Sequence, residues 1–211
     1  MLGAVTETTP EEILSFWFGE LEDGLAKPET RTRWFVADAD FDKACEQFRP
    51  VLDSIHDGRL DHWLIHPNST LAYILACDQL PRNIFRGEAA AFEWDHLGLE
   101  AAKSAISSRF DLQLGLDERA FLYLPFEHSE NLIDQHTAVG LFSALRDSST
   151  GNVRNIMGNT LRFAHQHREI ILKFGRFPHR NKVLNRTSTP EEQSFVDAGD
   201  GFGQSPTQKD N

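Results

Sequence analysis

The chain predicts an all-α fold, and three observations carry that expectation. Apolar residues recur at three- and four-residue spacing through most of its length, the pattern of helices with one buried stripe. Thr9-Pro10-Glu11-Glu12 near one end and Thr189-Pro190-Glu191-Glu192 near the other are helix start signals: an N-cap threonine, proline at the first position and glutamate at the third. No segment sustains the strict alternation that a half-buried strand requires, so no strand of consequence is expected. The expectation is about seven helices longer than one turn, stacked largely as antiparallel pairs.

In chain order, the first helix opens at Thr9 and carries Ile13, Phe16 and Trp17, and its pattern breaks down at Gly19. Residues 21–33 hold no periodicity and contain Gly24 and Pro28, the signature of a surface connection leading to Trp34-Phe35, a core anchor. Asp38 or Asp40 caps a second helix with Phe41, Cys45, Phe48, Leu52 and Ile55, kinked near Gln47–Arg49 by Pro50 and ended by Gly58. One turn at Asp61–Ile65 precedes Pro67. A fourth helix is expected over Ala89–Ser108, weakened at Gly98, then a short one capped by Asp117 and ended by Pro125. Ser129 heads a fifth long helix to Arg146, Val153–Phe174 makes the sixth, and a terminal helix occupies about 190–197. The expected domain is a single one spanning 7–203, followed by a disordered tail at 204–211.

The chain is organised around Leu71–Gly87, LAYILACDQLPRNIFRG, where a long apolar run meets a dense set of charges. Leu71, Ile74, Leu75 and Asp78 share one helical face, with the carboxylate at the last turn. Pro81 then opens a second short helix that sets Arg82 and Arg86 four apart, closed by Gly87. Like charges at that spacing repel and ask for an anion between them, either Asp78 or a bound carboxylate or phosphate.

Composition narrows the function classes. The 211 residues are 40% hydrophobic and 25% charged, as in an ordinary globular domain. Neither an apolar run of membrane-spanning length nor a secretory leader is present, so a cytoplasmic protein without membrane attachment is expected. Cys45 and Cys77 sit in apolar helical patterns and read as small buried residues. The net charge of −11 argues against a nucleic-acid partner. Its distribution is uneven: residues 151–186 carry eight Lys or Arg against the single acid Glu169, a balance of +7 that leaves −18 for the remainder. That segment either lies on acidic partners within the fold or leaves charge free for an anionic ligand.

Three polar clusters fall at helix ends or in loops: Asp78, Gln79, Arg82 and Arg86; Glu127, His128, Asp134 and Gln135; and Arg176, His179, Arg180, Asn181 and Arg186. Two accounts need these same residue types. In one they converge on a cleft; in the other they are salt bridges and caps that fix helix angles, a task suited to bidentate arginine. A catalytic reading takes His128 as general acid or base, Glu127 or Asp134 to orient it, and the arginines to hold an anionic substrate. His165 and Glu169, four apart, are possible metal ligands, with His167 on another face, but this helix is simply rich in polar residues and the His and carboxylate groups elsewhere fall into no known ligand spacing; no nucleophile elbow, phosphate loop or dinucleotide fingerprint is present. No metal or other cofactor is expected.

The runs DQLPRNIFRG, FLYLPFEHSE and FGRFPHRN, with ILSFWFG near the start and STPEE near the end, resemble the bacterial family catalogued as domain of unknown function nine hundred and twenty-four, over roughly residues 11–203. The resemblance implies an all-helical fold of the tetratricopeptide-like kind, a right-handed stack of antiparallel helix pairs, and no activity. Without a sequence period of 34 residues, that likeness is one of fold and not of repeat. One departure is Asn185 in Leu184-Asn185-Arg186, where the family pattern has glycine; a positive φ there would suit Asn next best.

Arginines and amides outnumber proton-transfer groups, which favours a binding module whose cleft takes an anionic small molecule or a peptide carboxylate. The binding set would be Asp78, Gln79, Arg82, Arg86, Glu127, His128, Gln135, Arg176, His179, Arg180, Asn181 and Arg186. The alternatives are an enzyme acting through His128 and a set of purely structural ion networks. If the arginines share a cleft, Arg86 and Arg180 should behave as under-compensated pocket residues and Arg82, beside Asp78, as part of a closed network.

Overall fold

The computed structural model of the chain describes residues 8–199; the proposed domain limits at 7 and 203 and the expected tail at 204–211 lie outside them. It is essentially all-α: eleven α-helical segments and a two-stranded pair of two residues each among the described residues. Beyond the long helices and the short ones expected at Pro81 and Asp117, the second helix is split in two and residues 21–33 hold a helix of their own.

Helix α1 (Pro10–Phe18) starts as its sequence requires, with Glu12 N donating to Thr9 Oγ1 at 3.3 Å and Thr9 N donating to Glu12 Oε2 at 2.8 Å. The stretch read as a bare connection instead contains the antiparallel pair β1 (Leu21–Glu22) and β2 (Leu25–Ala26), then α2 (Pro28–Arg33). Backbone proximity explains it. Gly24 turns at φ 78° against Gly115, and a Cβ on Gly24 would come 2.8 Å from Leu116 N. Only glycine fits there, and Ala26 N then donates to the buried Asp117 at 2.8 Å. Trp34 is the anchor expected, with Nε1 donating to the Trp17 carbonyl at 2.9 Å, but Phe35 is 65% exposed.

Pro50 breaks the second helix rather than kinking it: α3 (Ala39–Cys45), capped by Asp38, passes through a 3-10 turn into α4 (Arg49–His56). Helix α5 (Pro67–Asp78) is buried around its whole circumference from Thr70 to Asp78, so it has no solvent face and no stripe. It is the hub, packed on α1, on α4, on α7 (Asp95–Ser107) and on α8 (Leu116–His128). Helix α6 (Leu80–Ile84) stops before Arg86, so Arg82 and Arg86 do not share a helical face.

Gly98 does not weaken α7; it lets α7 approach α5, since a Cβ there would sit 3.1 Å from Cys77 Cβ. Gly98→Val should therefore destabilise the fold by about 1–3 kcal/mol in urea unfolding, through overpacking of that contact. Asp117 does not cap α8, and Pro125 does not end it. The N-cap is Gly115, whose N donates to Glu118 Oε2 at 2.7 Å, and the helix runs on to His128. Packing of α8 on α5, α7 and α9 (Leu132–Asp147) offsets the intrinsic cost of an interior proline, about 3 kcal/mol. The consequence is functional, because Glu127 and His128 end up on a rigid element.

Asn131, not Ser129, caps α9. Helix α10 (Gly151–Phe174) packs along α9 after a three-residue connection, an antiparallel hairpin, and ends at Gly175 with φ 69°. A 3-10 turn at Pro178–Arg180 and a loop in which Asn185 takes φ 53° lead to α11 (Pro190–Asp197), opened by the expected Thr189 capping box. Asparagine does occupy the left-handed position that the family pattern fills with glycine. One apolar core runs from Ile13 to Ala164 and a smaller one joins Ile170, Ile171 and Phe177; Cys45 and Cys77 are buried.

Candidate functional site

A cavity of about 1040 Å³ opens between the α2 region, α6, the end of α8 and one face of α10. On α10 the lining residues include Val153, Ile156, Thr160, Phe163 and His167, a regular three-four stripe beside the core stripe of Met157, Leu161 and Ala164, with Asn152 and Asn159 at its edge. From Val153 to His167 that stripe extends about 21 Å, at 1.5 Å per residue. Apolar side chains, among them Trp34, Phe35 and Val36, form much of the remaining wall.

The polar side chains at the α5–α6–α8 end of the cavity form a connected set. Asp78, wholly buried at the end of α5, accepts from Gln79 Nε2 at 2.6 Å and sits 2.8 Å from His128 Nδ1. Arg82 donates to the Asp78 carbonyl and, bidentately, to Asp95 at 2.9 and 3.0 Å. Asp95 also lies 3.6 Å from Arg180 Nη1 and so bridges the two guanidinium groups. Glu127 Oε1 is 2.9 Å from His167 Nδ1, and the His167 ring meets His128 edge-on with centroids 6.1 Å apart. Each wet-chemistry group is thus tied to the next within a nearly dry environment.

Burial and neighbours set the protonation states. Burial opposes the Asp78 charge, but Arg82 and His128 outweigh it and hold the carboxyl below the usual carboxylate range. Burial pushes His128 below its ordinary value and Arg82 adds to this, with Asp78 only partly offsetting them; its ring is neutral at pH 7. His179 is pushed down to about 3, by burial first and then by Arg180. Arg180 itself falls to about 10, because burial and Arg82 outweigh Asp95. Its guanidinium lies between the rings of Phe177 and Phe92, at 4.5 and 4.7 Å, and its buried Nε has no hydrogen bond among the described residues.

The three clusters converge only in part. Gln79, Arg82, Arg86, Glu127, His128, His179 and Arg180 line the cavity, with Asp78 directly behind. Arg86 departs from the pocket behaviour expected of it: Asp42 takes its Nε and Nη2 at 2.7 Å each, a closed pair. The expected surplus of positive charge is likewise absent, since Asp42, Asp78, Asp95 and Glu127 stand against Arg82, Arg86 and Arg180. The remaining residues brace the fold. Arg176 is bidentate on Glu192, Asn181 bonds Ser188 and Glu192, and Arg186 is bidentate on Glu130, which also accepts from Phe177 N. Asp134 pairs with Lys103, and Gln135 donates to the carbonyls that end α8.

Sequence reasoning missed Asp95, Phe92 and Phe177, for which no pattern in the chain gives a signal. It placed His167 on a different face from His165 and Glu169, as the structure has it, but gave it no part in the site. The 153, 156, 160, 163, 167 spacing was the available clue, masked by the adjacent core stripe.

The family model described as a bacterial protein of unknown function (DUF924) matches residues 13–200. A solved structure of a protein of unknown function from Agrobacterium tumefaciens is similar at 36% sequence identity, with a TM-score of 0.76 over 90% of this chain and 97% of that one. No curated protein matches. With most of its length matched by the family model and by a structure of the same fold, the chain belongs to the bacterial family DUF924.

Proposed function

We propose that the chain is a single-domain binding protein whose tetratricopeptide-like helix stack encloses a small organic anion, with the anionic group on Arg180 and an apolar body along α10. The observation that carries this reading is Arg180. It is a buried cation sandwiched between two aromatic rings, it shares its nearest carboxylate with Arg82, and Nε lacks a hydrogen bond among the described residues. A buried charge so incompletely paired is costly, and an incoming carboxylate or phosphate would supply the missing acceptors. Structural bracing accounts for Arg86, Arg176 and Arg186, each bidentate on its own carboxylate, but leaves Arg180 unexplained.

The cavity volume suits a metabolite better than a folded partner, and its apolar walls favour an anion with a hydrocarbon or aromatic part over a bare phosphate. No helix among the described residues is long and apolar enough to cross a membrane, in keeping with a cytoplasmic setting for such a ligand. A thermal-shift screen of carboxylated and phosphorylated metabolites should show stabilisation by apolar-bodied carboxylates. For any such ligand, Arg180→Gln should weaken affinity at least tenfold by calorimetry, on the order of one charge-assisted hydrogen bond. Unchanged affinity in that variant would remove the reading.

A further inference from the structure

His128 is poorly explained as an anion-binding residue. Its Nδ1 faces the Asp78 carboxylate at 2.8 and 2.9 Å, which fixes the hydrogen on that nitrogen and leaves Nε2 as a lone pair. A lone pair repels a carboxylate or phosphate. It welcomes a hydrogen, and a neutral imidazole backed by a wholly buried aspartate is the arrangement that removes one and stabilises the imidazolium formed. His128 also lines the same cavity as Arg180, on the last turn of a helix held on three sides. His167, held by Glu127, packs edge-on against its ring and restricts its rotation.

We propose that His128 acts as a general base on the anion held by Arg180, enolising a carbon acid with a carbonyl group next to its acidic C–H. This rests on the anion-binding reading above and adds an activity to it. No serine or cysteine lines the cavity among the described residues, and the hydroxyls of Thr32 and Thr160 there each donate to a backbone carbonyl of their own helix, which disfavours an acyl-enzyme route; proton removal needs only a base and a cation. In the step, Nε2 takes the hydrogen as a proton and the C–H electron pair moves into a C=C bond. The carbonyl electrons pass to oxygen, where Arg180 or Arg82 stabilises the enolate. The imidazolium then returns its proton to oxygen, giving the enol, or to carbon, restoring the ketone. Atoms and electrons balance with no co-reactant, and in deuterium oxide the returned hydrogen is deuterium. Asp78 is a positioning residue that acts through His128.

Phenylpyruvate is a suitable probe: a carboxylate with an aromatic body and acidic hydrogens beside its carbonyl. Its binding is measured by calorimetry, and loss of its methylene proton signal in deuterium oxide is followed by NMR with and without the protein. The proposal expects exchange accelerated at least about tenfold over buffer, the lower end of what a positioned base contributes being larger still. His128→Gln should return exchange to the buffer rate with affinity retained. Asp78→Asn, in protein that still shows the wild-type circular dichroism, should lower the exchange rate more than the affinity. Binding without accelerated exchange in the wild-type protein overturns the proposal and leaves the binding reading standing, as does His128→Gln exchanging at the wild-type rate. Failure of phenylpyruvate to bind at all overturns the apolar-anion reading and this inference with it.

Discussion

Arg82→Met should cost the fold about 3 to 5 kcal/mol, measured by urea unfolding. Among the described residues the Arg82 guanidinium is the one Lys or Arg group within ion-pair distance of Asp78, beside the His128 ring, and it is bidentate on Asp95. Asp78 is wholly buried and Asp95 largely so. Methionine fills similar volume but leaves one carboxylate in a dry site without its counter-charge, and it frees the Asp78 carbonyl that Arg82 also binds. Asp78 then regains a proton more readily. Because its folded carboxyl is held below the ordinary range, its contribution is present above the unfolded value and lost as pH falls through the folded one. The variant should lose that acid-side dependence.

Trp17→Ala should cost a similar amount, about 3 to 5 kcal/mol, for a different reason. Trp17 has no exposed surface and meets Phe121 edge-on at 5.5 Å and Phe41 at 5.6 Å, so alanine leaves a cavity walled by rigid rings that cannot collapse. Its indole N–H has no hydrogen bond among the described residues, which is an existing penalty. Trp17→Phe removes that penalty, keeps an aromatic ring in the site and loses less volume, so it should cost clearly less than Trp17→Ala. Similar losses for both variants, in the same denaturation series, would contradict the cavity account.

Local signals were legible where the cause is local. The capping boxes at Thr9 and Thr189 and the left-handed Asn185 depend on a few neighbouring residues and could be read directly. What failed depends on the partner. Pro125 stays helical because three helices hold α8, and Gly98 is a contact point because Cys77 faces it. For the candidate site, residue types at helix ends pointed to His128, Arg82 and Arg180, but not to the pairing among them. Arg86 looked like Arg180 in sequence; only the fold brings Asp42 to one and two aromatic rings to the other. Asp95, which joins Arg82 to Arg180, is one more acid in an acidic chain until α7 docks on α5.

The contrast between Arg82 and Arg180 carries the functional account, and Arg180→Met tests it. Methionine keeps packing between Phe92 and Phe177 and leaves Asp95 paired with Arg82, so no carboxylate is orphaned. Urea unfolding and anion titration of this one variant are read together. The account predicts a stability change within about 1 kcal/mol of wild type, in contrast to Arg82→Met, with anion affinity lowered at least tenfold. A loss above about 3 kcal/mol with anion affinity unchanged would make Arg180 another brace in a closed ion network and contradict the account.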